Sequence, residues 1–320
     1  MKLPTVHYLG GRYFCNTLCA LVLLCAAVGG VKAQTYQSQR MGLAAYNVGI
    51  NALLGGVGAA INKKPEQTLG NAFLKGLGKG AVGGLLIHQA KAVTYQIYAQ
   101  EKLGWAWPAR ITNAIGSSIV QNAAANRGML DRMHLNLWIV RADYDFKDRQ
   151  FLLRAVPSTL AGAVYMHKYG SLNFSRSLQT GLFFYDIPSQ KLINTTQVGH
   201  AVASSIAVGT PDFGEFNYHQ VVAHEVMHNL QYEGAVWLNP YFNRIDQPLK
   251  ERYAWYKTFS RYIYLDFNYL ASSPLRLIGT KSPCHLGSFL EKEAQHYAAR
   301  MYIECQEEYS GIELQNTSGN

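Results

Sequence analysis

The chain has 320 residues, of which 48% are hydrophobic and 15% are charged, and its formal net charge is +9 at pH 7. This length and composition predict globular structure in one large domain or two small ones, and they exclude an intrinsically disordered chain. The sequence contains no run of Lys and Arg and no basic-aromatic module, so the positive charge does not indicate nucleic-acid binding.

The first 33 residues have the three parts of a cleavable export signal. Lys2 and Arg12 supply the basic part, residues 14–28 are mostly apolar, and residues 31–33 form a cleavage site of the small-residue type. The apolar run is short for a membrane span. We therefore predict a signal peptide over residues 1–33 and a mature protein in the periplasm, the cell envelope or the extracellular space.

Residues 34–133 are rich in Gly and Ala, and their apolar positions have helical spacing. Gly76, Gly80 and Gly84 recur every fourth residue, which places them on one helix face where a second backbone has room to approach. Residues 41–61 carry no charge and are long enough for a membrane helix, but two asparagines and five glycines argue against one. Membrane association is therefore open but not favoured.

Residues 134–210 are predicted to be β-rich, because short apolar runs alternate with Gly, Pro, Ser and Asn. An antiparallel meander is the simplest topology. The predicted strands begin near His134 and continue at residues 151–156, 162–167, 172–174, 181–185 and 201–208.

Residues 211–309 return to helical periodicity, with helices predicted at 217–232, 249–271 and 286–303, followed by a polar, flexible tail at 310–320. The predicted fold class is α+β, with N-terminal Gly/Ala-rich helices, a central antiparallel sheet and a C-terminal helical site. Residues 34–309 could form one compact domain.

Two cysteines follow the predicted cleavage site, Cys284 and Cys305. If residues 286–303 form one helix, its ends are about 27 Å apart, far beyond the reach of a disulfide bond. We predict that these two cysteines are not paired.

The residues that point to chemistry are His224, Glu225 and His228, which form a His-Glu-x-x-His motif in an apolar helical segment. Residues four apart share a helix face, so both imidazoles have the geometry to bind one zinc ion. Glu225 lies about 100° further round the helix, where it would contact a water on the metal and act as general base. Hydrolysis of a peptide bond needs this division of roles.

A third protein ligand is required, and the sequence excludes one source of it. In metzincins a Gly and a third His follow the motif at fixed spacing. Here Gln231 and Gly234 occupy those two positions. The remaining common arrangement takes a Glu from a second helix, for which residues 289–299 are the best candidate because their small residues permit close approach.

This combination resembles the gluzincin branch of the zincin metallopeptidases, in which the ligand helix reads Glu-x-x-Ala-Asp-x-x-Ala. Glu291 and Ala294 match that pattern, whereas Ala298 comes one position late. The resemblance implies that Glu291 is the third ligand and that Gln295, where the family usually has Asp, hydrogen-bonds a zinc-bound histidine. It also implies an edge strand beside the motif helix that binds an extended peptide, for which residues 201–208 are the candidate.

Two other glutamates remain open as third ligand. Glu293 lies on the same helix, on the opposite edge of the apolar stripe formed by Leu290, Ala294 and Met301. Glu251 follows His228 at a spacing closer to the thermolysin-like pattern, but its basic neighbours favour a solvated ion-pair face. His219 is expected in the core or behind the ligands. His200, His285 and His296 could each help to stabilise an oxyanion, and Tyr232 is the tyrosine nearest the motif, so the stabiliser stays unassigned.

The sequence therefore predicts an exported, zinc-dependent metallopeptidase that acts on a peptide or protein substrate. The alternative is a non-catalytic, membrane-associated envelope scaffold in which the motif is structural or vestigial. The β-rich region could also serve as a binding module that recruits the catalytic part to a partner.

Overall fold

A computed structural model of the chain describes residues 36–188, 199–210, 217–234, 238–267 and 289–299. The predicted export signal, both cysteines of the mature chain, His285 and the polar tail lie outside the described residues. The described part is a mixture of helices and two small sheets, which confirms the α+β class.

The N-terminal region is helical. Its helices are α1 (Tyr36–Ile61), α2 (Leu69–Val93), α3 (Tyr95–Ala99) and α4 (Ala106–Ala124), with a 3-10 turn at Leu103–Trp105. The predicted glycine face lies where α2 packs on α1, because a Cβ atom at Gly76, Gly80 or Gly84 would collide with backbone carbonyl oxygens of α1. Glycine is needed at these three positions for the close approach of two helices.

Within the described residues one segment, Gln39–Ile61, has the length and hydropathy of a membrane span. In this structure 44% of that segment is buried inside the protein. Its two asparagines, Asn47 and Asn51, are among the buried residues. Core helices of soluble proteins have the same length and hydropathy, so membrane association stays open.

The first sheet is an antiparallel meander of three strands, β1 (Arg132–Leu137), β2 (Val140–Asp145) and β3 (Gln150–Ala155). It packs against α4 through the buried imidazole of His134, which hydrogen-bonds the hydroxyl groups of Ser117 and Ser118. This part of the sheet has the predicted topology.

The second sheet is mixed and has the strand order β4-β5-β7-β6. Its strands are β4 (Ser171–Leu172), β5 (Phe183–Ile187), β6 (Gly199–Val202) and β7 (Ser205–Gly209). The expectation of one central antiparallel sheet was wrong in two respects, because there are two sheets and β5 pairs with β7 in parallel. Every residue of β7 is buried, which suits the interior of a sheet covered on both faces.

The strand predicted at residues 162–167 was wrong, since this segment lies in α5 (Pro157–Met166). Pro157 stands at the start of that helix, where its fixed φ angle is compatible with helix and its missing N–H is not needed. Gly162 then lets α5 approach β6, because a Cβ atom there would lie 3.0 Å from the carbonyl oxygen of Val202.

Two other predicted strands are shorter than expected. The strand at residues 172–174 ends at Leu172, because Asn173 caps the next helix, α6 (Phe174–Thr180), by accepting a hydrogen bond from the backbone N–H of Arg176. The segment 201–208 is a hairpin, in which Ala203 and Ser204 have φ angles of 39° and 56° and reverse the chain between β6 and β7.

The C-terminal region is helical, as predicted. Its described helices are α7 (Tyr218–Gly234), α8 (Leu238–Tyr241), α9 (Asn243–Arg252), α10 (Ala254–Tyr262) and α11 (Phe289–Ala299). The single helix predicted from residue 249 is broken at Tyr253, whose backbone is extended. The main apolar core lies between the second sheet and α7, where Phe184, Ile206 and Val226 are fully buried.

Candidate metal centre

Helix α7 carries His224, Glu225 and His228. It forms because apolar residues recur at helical spacing, and Val222 and Val226 on its inner face are fully buried against the second sheet. With that face fixed in the core, the two histidines are directed together toward α11.

Helix α11 supplies the partner carboxylate, Glu291, from its first turn. The helix lies close to α7 because Ala294 and Ala298 are fully buried, and Ala294 packs with Met227 of α7. Small side chains at the contact allow two helices to approach each other closely.

The ligand atoms of these three side chains converge. His224 Nε2 lies 3.0 Å from His228 Nε2. Glu291 Oε2 lies 3.1 Å from the first of these nitrogens and 3.2 Å from the second. Among the described residues, this is the group of His, Cys, Asp and Glu side chains arranged so that it could hold a metal ion.

The spacing and the exposure of the group both fit a catalytic metal site. Two ligands of a tetrahedral zinc ion, each about 2.0–2.1 Å from the metal, stand about 3.3 Å apart. The side chains of His224, His228 and Glu291 are 17%, 8% and 21% exposed. The group is therefore held by the protein on one side and accessible to water on the other.

The electrostatics of the group favour a positive charge at its centre. Burial alone would raise the pKa of Glu291, but hydrogen bonds from His224 and His228 outweigh it and lower that pKa below its usual value. Burial likewise opposes protonation of His224, yet the hydrogen bond with Glu291 and the charge of Glu225 raise the pKa of its imidazole. A bound cation would supply the charge that these shifts favour.

Gln231 fixes the orientation of His228 through the ring nitrogen Nδ1, which lies away from Glu291. Its Oε1 lies 2.9 Å from His228 Nδ1, while its Nε2 donates to the backbone oxygen of Leu290 and to Glu293 Oε2, both at 2.9 Å. Two acceptors around Nε2 fix the orientation of the amide, so Oε1 faces the imidazole and Nδ1 must donate. With Nδ1 as the donor to Gln231, Nε2 is the ring nitrogen of His228 that would bind a metal in place of its hydrogen bond with Glu291.

Glu293, the rival third ligand, does not join the group. Its side chain is 1% exposed, and Oε1 accepts hydrogen bonds from Lys91 Nζ at 2.7 Å and from Asn47 Nδ2 at 2.8 Å. Burial opposes its ionisation, but Lys91 and these hydrogen bonds lower its pKa below the usual value. Glu293 therefore ties α11 to the N-terminal helices α1 and α2.

The other sequence candidates also lie outside the metal group. Glu251 is exposed on α9. His219 is half-buried and packs against Tyr218, and His296 is buried and hydrogen-bonds Gln39. His200 lies on the face of β6 that is turned away from α7, against Tyr165 and Tyr169.

Strand β6 lies against helix α7, which carries the candidate ligands His224 and His228. Gly199 is in contact with Glu225, since a Cβ atom at Gly199 would lie 2.5 Å from Glu225 Oε1. Side chains alternate between the two faces of a strand, so His200 points the other way and packs against Tyr165 and Tyr169. The buried carboxylate of Glu225 thus lies against the face of β6, which is the last strand of the second sheet among the described residues.

Gln295 lies beside His224, where its side chain contributes to the raised pKa of the imidazole. Gln295 is thus next to His224, as predicted, but the buried Nδ1 atom of that imidazole has no partner of ordinary hydrogen-bond geometry among the described residues.

Sequence reasoning missed three residues that shape the site: Gln231, Lys91 and Gly199. Gln231 was considered only as a departure from the metzincin pattern, although a polar residue three positions after a ligand histidine could have suggested its role.

Comparisons with protein-family models, with curated proteins and with solved structures give no match. The function is therefore inferred from the site itself.

Proposed function

We propose that this protein is a zinc-dependent metallopeptidase in which His224, His228 and Glu291 bind the metal. The observation that carries the proposal is the convergence of two imidazole nitrogens and one carboxylate oxygen within 3.0 to 3.2 Å of one another. Two histidines and one glutamate form a ligand set typical of catalytic zinc sites, which leave a position for water.

Glu225 is proposed as the general base and acid. When bound, zinc would supply a Lewis acid that lowers the pKa of a water ligand and polarises the peptide carbonyl. The carboxylate of Glu225 follows His224 directly in α7, faces β6 and is 6% exposed. From that position it would accept a proton from the attacking water and deliver it to the leaving nitrogen.

The proposed substrate is an extended segment of peptide or protein. Among the described residues β6 is the last strand of its sheet and lies beside α7, so a peptide could pair with its outer edge near Glu225. The hairpin that contains β6 is held to α7 because Ser204 donates a hydrogen bond to Glu233 at 3.2 Å. We further propose export by the N-terminal signal and no role in nucleic-acid binding.

The experiment that tests this function is cleavage of a library of internally quenched peptides by the mature protein, with and without a chelator. We expect cleavage that is lost with the chelator and regained with added zinc. Glu225→Gln should keep zinc and lose cleavage, because only the base is removed, whereas His228→Ala should lose both. If Glu225→Gln cleaves as fast as the parent protein, the proposed chemistry is wrong and the scaffold alternative is favoured.

A further inference from the structure

A cavity of about 260 Å³ lies between the first sheet and helices α8 to α10. One wall comes from β2, β3 and the end of α4, and the opposite wall comes from α9, α10 and the residues after them. None of the residues that line it belongs to the metal-binding group.

The cavity is strongly basic. It is lined by five cationic side chains and two carboxylates, namely Arg127, Arg132, Arg141, Arg154 and Lys250 with Asp143 and Asp246. The two carboxylates form ion pairs with three of the cations. Asp143 pairs with Arg141 and Arg154, and Asp246 pairs with Lys250. Arg132 pairs with Asp145, at 2.8 Å.

Arg127 is the cation that this arrangement leaves without a partner. Its guanidinium makes no hydrogen bond or ion pair with any residue that the structure describes, although its backbone oxygen accepts a hydrogen bond from Lys79. Burial and the like charge of Arg132 lower its pKa below the ordinary value. The guanidinium is half-buried, so water can reach its N–H groups, and an anion in the cavity could replace that water with a charge-assisted hydrogen bond.

The opposite wall of the cavity is mixed, because it carries apolar side chains beside polar ones such as Asp246 and Lys250. Ile245, Leu249 and Phe259 line it from helices α9 and α10, which have no buried residue of their own. Leu249 and Phe259 are each 37% exposed and Ile245 is 60% exposed. These side chains would gain burial from an apolar ligand that lies between the two helices and the sheet.

We infer that this cavity binds an organic anion that carries one carboxylate or phosphate group and a short apolar chain. The oxyanion accepts hydrogen bonds from Arg127 and lies near Lys250, and the apolar chain packs along Leu249 and Phe259. Carboxylate and phosphate share the chemistry that guanidinium groups recognise, so the head group is decided by experiment.

The test uses hexanoate and hexyl phosphate as probes, with acetate and inorganic phosphate as head groups that lack the chain. Binding to the mature protein is measured by calorimetry, and the melting temperature is followed in parallel. We expect one of the two six-carbon probes to bind more tightly than its head group alone and to raise the melting temperature. The head group that binds more tightly identifies the natural source as a carboxylic acid or a phosphate ester.

The variant Arg127→Gln should weaken binding by about tenfold or more, because a charge-assisted hydrogen bond is lost. Arg149→Gln is the matched control, since Arg149 is exposed in the turn between β2 and β3 and does not line the cavity. Lys250→Gln, on the other wall, should also weaken binding. It replaces Arg127→Gln as the test variant if Arg127→Gln does not fold. The inference is overturned if neither six-carbon probe binds, or if the control weakens binding as much as the cavity variants.

Discussion

Gln231 on α7 and Glu293 on α11 are joined by a hydrogen bond of 2.9 Å from Nε2 to Oε2. Through the other end of the same amide, Gln231 accepts from His228 Nδ1. The buried ion pair of Glu293 with Lys91 is therefore connected to one of the proposed metal ligands. This chain of contacts links the N-terminal helices to the tautomer of His228.

Replacing Gln231 with Ala should weaken zinc binding by about 10- to 100-fold, because His228 loses the group that fixes its tautomer and its ring orientation. The free energy of unfolding should fall by about 1–3 kcal/mol, since Glu293 loses a hydrogen bond. Competition with a chelating indicator dye measures the affinity. Gln220→Ala, on the same helix and outside this network, is the control, and equal zinc affinity in the two variants would argue against the role given to Gln231.

Gly199→Ala should impair cleavage while leaving zinc in place. The new methyl group would lie 2.5 Å from Glu225 Oε1 and must displace the proposed base. A displacement of about 1 Å in a catalytic group costs on the order of 100-fold in rate. Steady-state kinetics and metal content are measured together, with Gly104→Ala as the control because a Cβ atom there has open space. Unchanged kcat in Gly199→Ala would mean that Glu225 does not work from this position.

Asp143 should make the first sheet sensitive to acid. Burial would raise its pKa, but the charges of Arg141 and Arg154 prevail and lower it to about 2. A folded-state pKa below the unfolded value near 3.8 gives stability that is complete above about pH 4 and is lost as the pH falls toward 2.

The variant Asp143→Asn should therefore lower the free energy of unfolding by about 2 kcal/mol or more at pH 7, because it also leaves the buried Arg141 and the half-buried Arg154 without their carboxylate. The difference between variant and parent should shrink between about pH 4 and pH 2. Urea unfolding at a series of pH values measures the difference in the free energy of unfolding between variant and parent. A difference that stays constant over this range would show that the carboxylate of Asp143 is not what stabilises the sheet.

Local periodicity was enough to predict the helix that carries the motif. Val222 and Val226 repeat at helical spacing, and the spacing of His224 and His228 requires a common face. Local patterns failed at residues 162–167, where a short apolar run is compatible with either strand or helix. Pro157 at the helix start and the packing of Gly162 on β6 favour the helix.

The parts of the site that could not be predicted depend on partners far apart in the chain. Lys91 and Glu293 are 202 positions apart, and nothing near either residue indicates the other. For the same reason Glu291 and Glu293 remained alternatives, because both lie on candidate faces of one short helix. Only the packing of α11 on α7 and α2 distinguishes the glutamate beside the histidines from the one beside Lys91.

Elemental analysis of zinc in the purified mature chain, for the parent protein and three variants, decides whether the proposed ligands bind the metal. Glu291→Ala removes the proposed ligand, Glu251→Ala is a matched control on the exposed face of α9, and Glu293→Gln keeps the shape of the buried side chain. We expect about one zinc per chain, lost in Glu291→Ala and retained in the other two. No zinc in the parent protein even after zinc is supplied, or zinc retained in full by Glu291→Ala, would contradict this assignment.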